Sequence, residues 1–174
     1  MPFSIRLFRR FFPVWRLVVL VSLLTPSLAL AVTEYQAKVI RVMDCDILEV
    51  LHNQRPERVR LWGIDCPEKG EGFGTRAKQA ASQLAFGKEV TLQTHGHDKY
   101  GRMLAEVLLP DGMNLNQELV KQGWCWWYRK YAPMDTVLEG LERDAREAKK
   151  GLWADPKLVP SWAYRGSQRS PVLQ

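Results

Sequence analysis

The sequence is poor in cysteine and has no internal repeat. Only three of its 174 residues are cysteines, and no two of them have the short spacing that zinc ligands usually show. An apolar run near the N-terminus, with its continuation to Val32, has 16 residues, whereas a helix that crosses a bilayer needs about 20. The few cysteines and the lack of a repeat argue against a structural zinc domain and a repeat protein. The N-terminal apolar run is short for a helix that spans a membrane.

The charge of the chain is unevenly distributed. Four of the 25 lysines and arginines lie in the first 31 positions, which contain no acidic residue. The remaining 21 basic residues face 19 acidic ones, so this part has a net charge of +2, against +6 for the whole chain. Overall basicity is therefore weak evidence for a nucleic-acid partner, and a phosphate-binding surface must come from local clustering of basic side chains.

The first 31 residues have the features of a secretory signal peptide. Arginines precede the apolar run Leu17–Leu24, Pro26 follows it, and Ala29-Leu30-Ala31 is a small-x-small cleavage site. We predict cleavage near Ala31 and export to the periplasm or the medium, with an uncleaved membrane anchor as the alternative. One globular domain is predicted over residues 32–153, followed by a polar, proline-containing tail over residues 154–174.

Five short segments have the residue patterns of β-strands. They cover residues 34–43, 47–51, 58–64, 89–94 and 103–109, and a hairpin loop at 52–56 separates the second from the third. The strands are short and one helix follows the third of them. This order is compatible with a small barrel capped by helices, although the pattern alone does not separate a barrel from other α+β arrangements.

Apolar residues at helical spacing predict three helices. They cover residues 75–86, a short stretch around residues 115–120, and a third segment that a capping box of Thr136 and Glu139 opens and Gly151 closes. The glycine-rich segment Lys69–Gly74 is predicted to be a mobile loop, and the tail after Trp153 a partly ordered extension.

Three acidic and two basic residues near the predicted strand ends carry the chemistry. The acids are Asp46, Asp65 and Glu68, and the bases are Arg60 and Arg102. Carboxylate oxygens bind hard cations, and a loose oxygen set suits calcium better than the strict octahedron of magnesium. Guanidinium groups clamp a phosphodiester through paired hydrogen bonds. The set therefore indicates a nuclease, although each residue alone has a simpler role as a turn former, loop acid or surface ion pair.

The order and spacing of these residues resemble the staphylococcal nuclease (thermonuclease) family. The matching segments are Asp44-Cys45-Asp46, Arg60–Glu68 and Asp98-Lys99-Tyr100-Gly101-Arg102, and the resemblance covers roughly residues 34–153. It implies an α+β fold built on a five-stranded OB-fold barrel capped by three helices, with calcium (Ca²⁺) as the cofactor. It also implies cleavage of DNA and RNA that leaves 3′-phosphates.

The resemblance assigns a metal site and a base. It implies that Asp46, Asp65 and the backbone carbonyl of Cys66 hold calcium at neighbouring strand ends, with water completing the ligand set. Glu68 would orient or deprotonate the attacking water, which contributes roughly 10² to 10⁴-fold to a rate when the base lies within hydrogen-bond reach.

The resemblance also implies which residues bind the nucleic acid. Arg60 and Arg102 match the two arginines that contact the scissile phosphate, where preorganised donors are each worth on the order of 10² to 10³ in rate. Lys99 and Tyr100 would hold a terminal phosphate and a base or sugar. The aromatic and basic segment at residues 123–131 suits either base stacking or core packing, and we assign only Tyr131 to the nucleotide.

Two departures from the family pattern flank the first metal aspartate. Cys45 and Ile47 stand where the family has glycine and threonine. Cys45 and Cys66 each adjoin a predicted metal aspartate on turns that the barrel would place side by side, and export would bring them into an oxidising compartment. We therefore predict a Cys45–Cys66 disulfide with Cys125 as a buried free thiol; the alternative is that the two turns hold their cysteines apart.

The predicted function is that of an exported, calcium-dependent endonuclease, a phosphodiesterase that acts as a monomer on single-stranded or frayed DNA and RNA. Little sequence preference is expected, because contacts to the phosphate backbone carry no sequence information. The alternative is a catalytically inactive OB-fold module that binds nucleic acid or protein, but such a module does not need the complete set of acids and arginines. An envelope protein that uses the aromatic segment as an interaction surface is a further alternative.

Overall fold

The computed structural model describes residues 33–169. The predicted signal peptide and the last five residues of the tail lie outside this range. Within it, no helix is both long enough and apolar enough to cross a membrane.

Seven strands and four helices make up the described part of the chain. The strands are β1 (Glu34–Asp44), β2 (Ile47–His52), β3 (Arg55–Leu61), β4 (Ile64–Asp65), β5 (Glu89–His97), β6 (Met103–Leu108) and β7 (Trp126–Trp127). The helices are α1 (Gly74–Ala85), α2 (Leu115–Lys121), α3 (Thr136–Glu147) and α4 (Ser161–Arg169), with a 3₁₀ helix at Gly151–Ala154.

Five of the strands form a closed barrel in the order β1-β2-β3-β6-β5. Neighbouring strands are antiparallel except β3 and β6, which run parallel with Val59 opposite Met103. Alternate residues point inward, so that Leu48 and Val50 on β2 are fully buried while their neighbours are not. The predicted five-stranded barrel is confirmed, and helices cap it as predicted.

The hairpin between β2 and β3 is tighter than the predicted loop at residues 52–56. His52 still pairs with Arg55, so the turn consists of Asn53 and Gln54 alone. Both have positive φ angles, 48° and 62°, as a two-residue hairpin turn matched to the twist of its strands requires. Pro56 therefore lies within β3.

The predicted strand over residues 58–64 is interrupted. Strand β3 ends at Leu61, and Trp62 and Gly63 turn the chain into the short strand β4. Gly63 has a φ angle of +75°, and a Cβ atom there would come within 2.9 Å of Leu138 Cδ1, so that the turn suits glycine. Strand β4 then leaves the barrel and pairs with β7, with Asp65 opposite Trp126.

The first and third helices begin close to their predicted positions. Helix α1 buries Ala77, Ala81 and Ala85 against the barrel. For α3 the predicted capping box is wrong: Asp135 is the N-cap and its carboxylate accepts a 2.9 Å hydrogen bond from Leu138 N. Asp135 therefore caps the helix, whereas the sequence analysis assigned this role to Thr136, the first residue of the helix.

Part of the tail forms a fourth helix, α4, which the sequence analysis did not predict. Trp162 on α4 stacks on Tyr128 with ring centroids 5.2 Å apart and meets Trp126 edge-on at 6.1 Å. The helix is therefore held by aromatic side chains of the segment around β7.

The predicted Cys45–Cys66 disulfide is wrong. Cys66 is bonded to Cys125, with Cα atoms 4.2 Å apart, and Cys45 is a buried free thiol. The pairing of β4 with β7 explains this, because the next pair in its antiparallel register is Cys66 opposite Cys125. Cys45 Sγ lies 3.4 Å from Cys125 Sγ. Burial, reinforced by nearby aspartates, raises the pKa of the Cys45 thiol well above its usual value.

Peptide mapping of the non-reduced protein should yield a Cys66–Cys125 linked pair. Cys45 should be alkylated only after unfolding, because burial protects it and disfavours the reactive thiolate. The double variant Cys66→Ala/Cys125→Ala should lose about 4 kcal/mol of unfolding free energy, since the bridge joins residues 59 positions apart. Cys45→Ala, which retains the bridge, is the control and should lose less. Recovery of a Cys45–Cys66 linked peptide would contradict this pairing.

Candidate active site

The predicted catalytic and nucleotide-binding residues line one cleft of about 620 Å³. The cleft lies at the end of the barrel where β3 ends and β2 and β6 begin. Its lining includes the predicted residues Arg60, Asp65, Glu68, Lys99, Tyr100, Arg102 and Tyr131, and also Arg165, which the sequence analysis did not select.

Asp46 and Asp65 lie on either side of one arginine. Arg60 Nη1 is 2.8 Å from Asp46 Oδ2 and Arg60 Nη2 is 2.5 Å from Asp65 Oδ1. Strand pairing produces this arrangement, because Ile47, directly after Asp46, is opposite Arg60 in the β2–β3 register. Both aspartates are buried, with 2% and 0% of their surfaces exposed. Arg60 is therefore paired with both acids while it also lines the cleft, and its contact with the scissile phosphate stays a prediction.

Burial has the largest effect on the pKa of the Asp46 carboxyl group. It raises the pKa of this carboxyl to about 6, although the Arg60 guanidinium opposes the shift. The Cys66 N–H also stabilises the carboxylate by donating a 3.0 Å hydrogen bond to Asp46 Oδ2. Burial would lower the pKa of Arg60, but the two aspartates outweigh it and the pKa is raised.

Glu68 lies at the open edge of the site, with 56% of its side chain exposed. The backbone around it is tightly packed: a Cβ atom on Gly74 would lie 1.9 Å from the Glu68 carbonyl oxygen. That oxygen also accepts a 2.8 Å hydrogen bond from Glu71 N. A compact turn therefore fixes the Glu68 backbone while the carboxylate faces solvent.

The turn between β5 and β6 presents Arg102, Lys99 and Tyr100. Asp98 organises it, since its Oδ1 accepts hydrogen bonds from Tyr100 N at 2.8 Å and Arg102 N at 3.0 Å, and its Oδ2 accepts one from Arg102 Nε at 2.7 Å. Burial raises the pKa of Asp98, but these hydrogen bonds outweigh it and the pKa is lowered. The Arg102 guanidinium also lies 5.5 Å from the centre of the Tyr100 ring.

Exposed aromatic rings surround the cleft. Tyr100 is 70% exposed and Tyr131 is 53% exposed. Trp62, which the sequence analysis did not select, lies 6.0 Å from the Tyr131 ring and stacks on His95 at 4.8 Å. By contrast Trp126 and Trp127 are buried, so that part of the segment at residues 123–131 belongs to the core.

Arg165 is the site residue that sequence reasoning missed. It extends from α4 to Asp65, with Nη2 2.7 Å from Oδ2 and 3.0 Å from Oδ1, and its Nη1 donates a 2.9 Å hydrogen bond to Glu68 Oε1. A single arginine in a polar tail belongs to no motif, and Arg165 is 100 positions away from Asp65 in the sequence, so local patterns do not reveal the contact. Only the fold shows it.

The residues around Asp46 and Asp65 fit a divalent cation. The two carboxylates are buried beside each other, and the oxygens that would bind a metal accept hydrogen bonds from the cationic groups of Arg60 and Arg165. Carboxylate and carbonyl oxygens are the ligands that calcium prefers. The site thus offers the oxygen ligands that such an ion binds, and its buried negative charges favour a cation.

Comparison with known proteins places these observations in a family. The family model described as "Staphylococcal nuclease homologue" matches residues 58–155. An uncharacterized endonuclease of Escherichia coli O157:H7 is 42% identical over 132 residues, covering 76% of this chain and 86% of the relative. A micrococcal nuclease of Shigella flexneri is 36% identical over 146 residues, covering 79% of this chain and 84% of the relative. With the barrel and the clustered acids and arginines, these matches show that the chain belongs to the staphylococcal nuclease family.

Proposed function

We propose that the chain is a calcium-dependent nuclease that hydrolyses phosphodiester bonds of DNA and RNA with little sequence preference. One observation carries the proposal: two buried carboxylates, Asp46 and Asp65, share Arg60 beneath a cleft that also presents Glu68 and Arg102. Membership of the staphylococcal nuclease family supports the nuclease activity.

In this proposal the carboxylates and a carbonyl hold the ion. Asp46, Asp65 and the backbone oxygen of Cys66 are the ligands, and the disulfide at Cys66 together with the β4–β7 pairing fixes two of them. Bound calcium supplies positive charge that stabilises the charge developing on the phosphate. Arg60 compensates the negative charge of both acids from the wall of the cleft.

Glu68 and Arg102 act on the reacting groups. Glu68, exposed at the cleft, accepts a proton from the water that attacks phosphorus. The bond between phosphorus and the 5′ oxygen breaks, the 5′ oxygen takes up a proton, and the phosphate remains on the 3′ side. Arg102 turns the N–H groups that are free of Asp98 toward the equatorial oxygens, whose charge is greatest in the transition state.

The surroundings of the cleft support a single-stranded substrate. Tyr100, Tyr131 and Trp62 offer aromatic surface for bases, and stacking of this kind is sequence-tolerant because every base has a π-face. Lys99 adds positive charge for a phosphate. All of these groups lie on one chain, so that the proposed site is complete without a second copy.

Export is part of the proposal. The signal-like N-terminal 31 residues support it, and a structural disulfide is more stable in an oxidising compartment. An inactive binding module is the weaker candidate, because it would not need two buried acids beside Glu68 and Arg102.

The purified protein should cleave denatured DNA and RNA in millimolar calcium and lose this activity in a chelator. Gel zymography with each nucleic acid, with and without calcium, measures this. A folded protein that cleaves neither substrate would contradict the nuclease assignment. Full activity in chelator would leave a nuclease but overturn the proposed role of the metal.

Two substitutions should separate chemistry from folding. Glu68→Gln and Arg102→Ala should each reduce the cleavage rate by about 10² or more, roughly 2.7 kcal/mol of transition-state stabilisation, with little change in thermal melting. Arg58→Ala is the matched control, because Arg58 is exposed, lies opposite Glu49 and is outside the cleft lining. Equal loss of activity in Arg58→Ala and Arg102→Ala would refute the assigned phosphate clamp.

A further inference from the structure

Helix α4 contacts the groups that the proposed mechanism needs free. Arg165 donates from Nη2 to both oxygens of Asp65, at 3.0 and 2.7 Å, and from Nη1 to Glu68 Oε1 at 2.9 Å. One guanidinium thus binds a proposed metal ligand and the proposed base together. Charged pairs of this forked geometry are the stronger hydrogen bonds of proteins.

The N-terminal end of α4 contacts the third proposed calcium ligand, the backbone carbonyl of Cys66. Ser161 is fully buried, and its hydroxyl is 3.2 Å from the Cys66 carbonyl oxygen and also contacts the Glu71 carboxylate. A hydroxyl has one proton, so it donates to one of these acceptors at a time. Trp162 adds the contacts with Tyr128 and Trp126. The helix is therefore docked at several points of the site rather than by Arg165 alone.

We propose that α4 is an autoinhibitory element in which Arg165 serves as the resident cation of the carboxylate site, so that a docked Arg165 and a bound calcium ion exclude each other. The inference rests on the proposed calcium site. Calcium lies about 2.3 to 2.6 Å from its oxygen ligands, and Arg165 Nη2 already lies 2.7 Å from Asp65 Oδ2. Arg60 and Arg165 together already donate to both oxygens of Asp65, and the positive charges of calcium and Arg165 repel each other, so the ion and the docked arginine compete for this carboxylate.

Arg165 is the cation that can leave. Arg60 belongs to a barrel strand, its side chain is only 17% exposed, and it is paired with both acids. Arg165 lies on a helix outside the barrel, and its side chain is 28% exposed. Its release frees Asp65 for the ion and Glu68 for water in the same step, so that α4 holds the enzyme inactive where calcium is scarce.

Calcium affinity tests this exclusion without reference to activity. Isothermal titration of the full chain should show Arg165→Ala binding calcium about tenfold more tightly than the original sequence. A site whose competent state is populated only one-tenth of the time loses about this factor in apparent affinity. Arg102→Ala is the matched control. It removes the same charge from the same cleft, but Arg102 is bonded to Asp98 and its loss frees neither Asp65 nor Glu68. Its affinity should change by less than about threefold, because the Arg102 guanidinium is paired with Asp98 and a charge that does not touch the metal ligands acts on them only weakly across a solvated cleft.

Hydrogen exchange tests the release of the helix in the unmodified chain. Calcium should accelerate exchange of the backbone amides of residues 161–169, measured by mass spectrometry, and leave those of the barrel strands unchanged. Equal calcium affinity in the original chain and in Arg165→Ala would overturn the inference and leave the proposed function intact. The same conclusion would follow if the chain bound calcium while the amides of α4 exchanged no faster than without calcium. Absence of calcium binding in every chain would overturn the proposed metal site and the inference with it.

Discussion

Two carboxylates buried side by side require a positive charge between them, and Arg60 supplies it. Removing an ionised carboxylate from water costs several kcal/mol, and a buried charge is tolerated only with a partner and further hydrogen bonds. Asp46 has Arg60 and the Cys66 N–H, and Asp65 has Arg60 and Arg165. The strand ends at this side of the barrel are arranged around that shared guanidinium, and the arrangement leaves oxygen atoms suited to a metal ion.

The position of Asp65 depends on a contact outside the barrel. Strand β4 pairs with β7, and the Cys66–Cys125 disulfide continues the same register. The bridge thereby ties the end of β4 to the aromatic segment, which in turn supports α4 through Trp162. Ligand placement, the disulfide and the docked helix thus form one connected arrangement, and a disturbance at β7 is expected to reach the site.

Local patterns in the sequence determine much of the fold. The alternation of polar and apolar residues along the first part of β1 and the alanine spacing of α1 are local properties, and the structure agrees with both. The order of the acids and arginines also identified the family. The errors concern non-local contacts. The predicted third strand is divided by a turn at Gly63 that packs against Leu138 of α3, and the partner of Cys66 is determined by the β4–β7 register. Arg165 reaches the site only through tertiary packing, and no spacing in the sequence could have indicated it.

The pH dependence of stability tests most directly whether Asp46 is a buried carboxyl group whose burial Arg60 only partly offsets. Its pKa is about 6 in the folded chain and about 3.9 in an unfolded one, so between these values the folded state binds the extra proton and its stability falls as pH rises. Urea unfolding of the original chain and of Asp46→Asn should be compared from pH 4 to pH 7 in a chelator. The account predicts that the unfolding free energy of the original chain, relative to the variant, falls by roughly 3 kcal/mol as pH rises through this window and then levels off. A difference that stays constant, or that grows with pH, would contradict it.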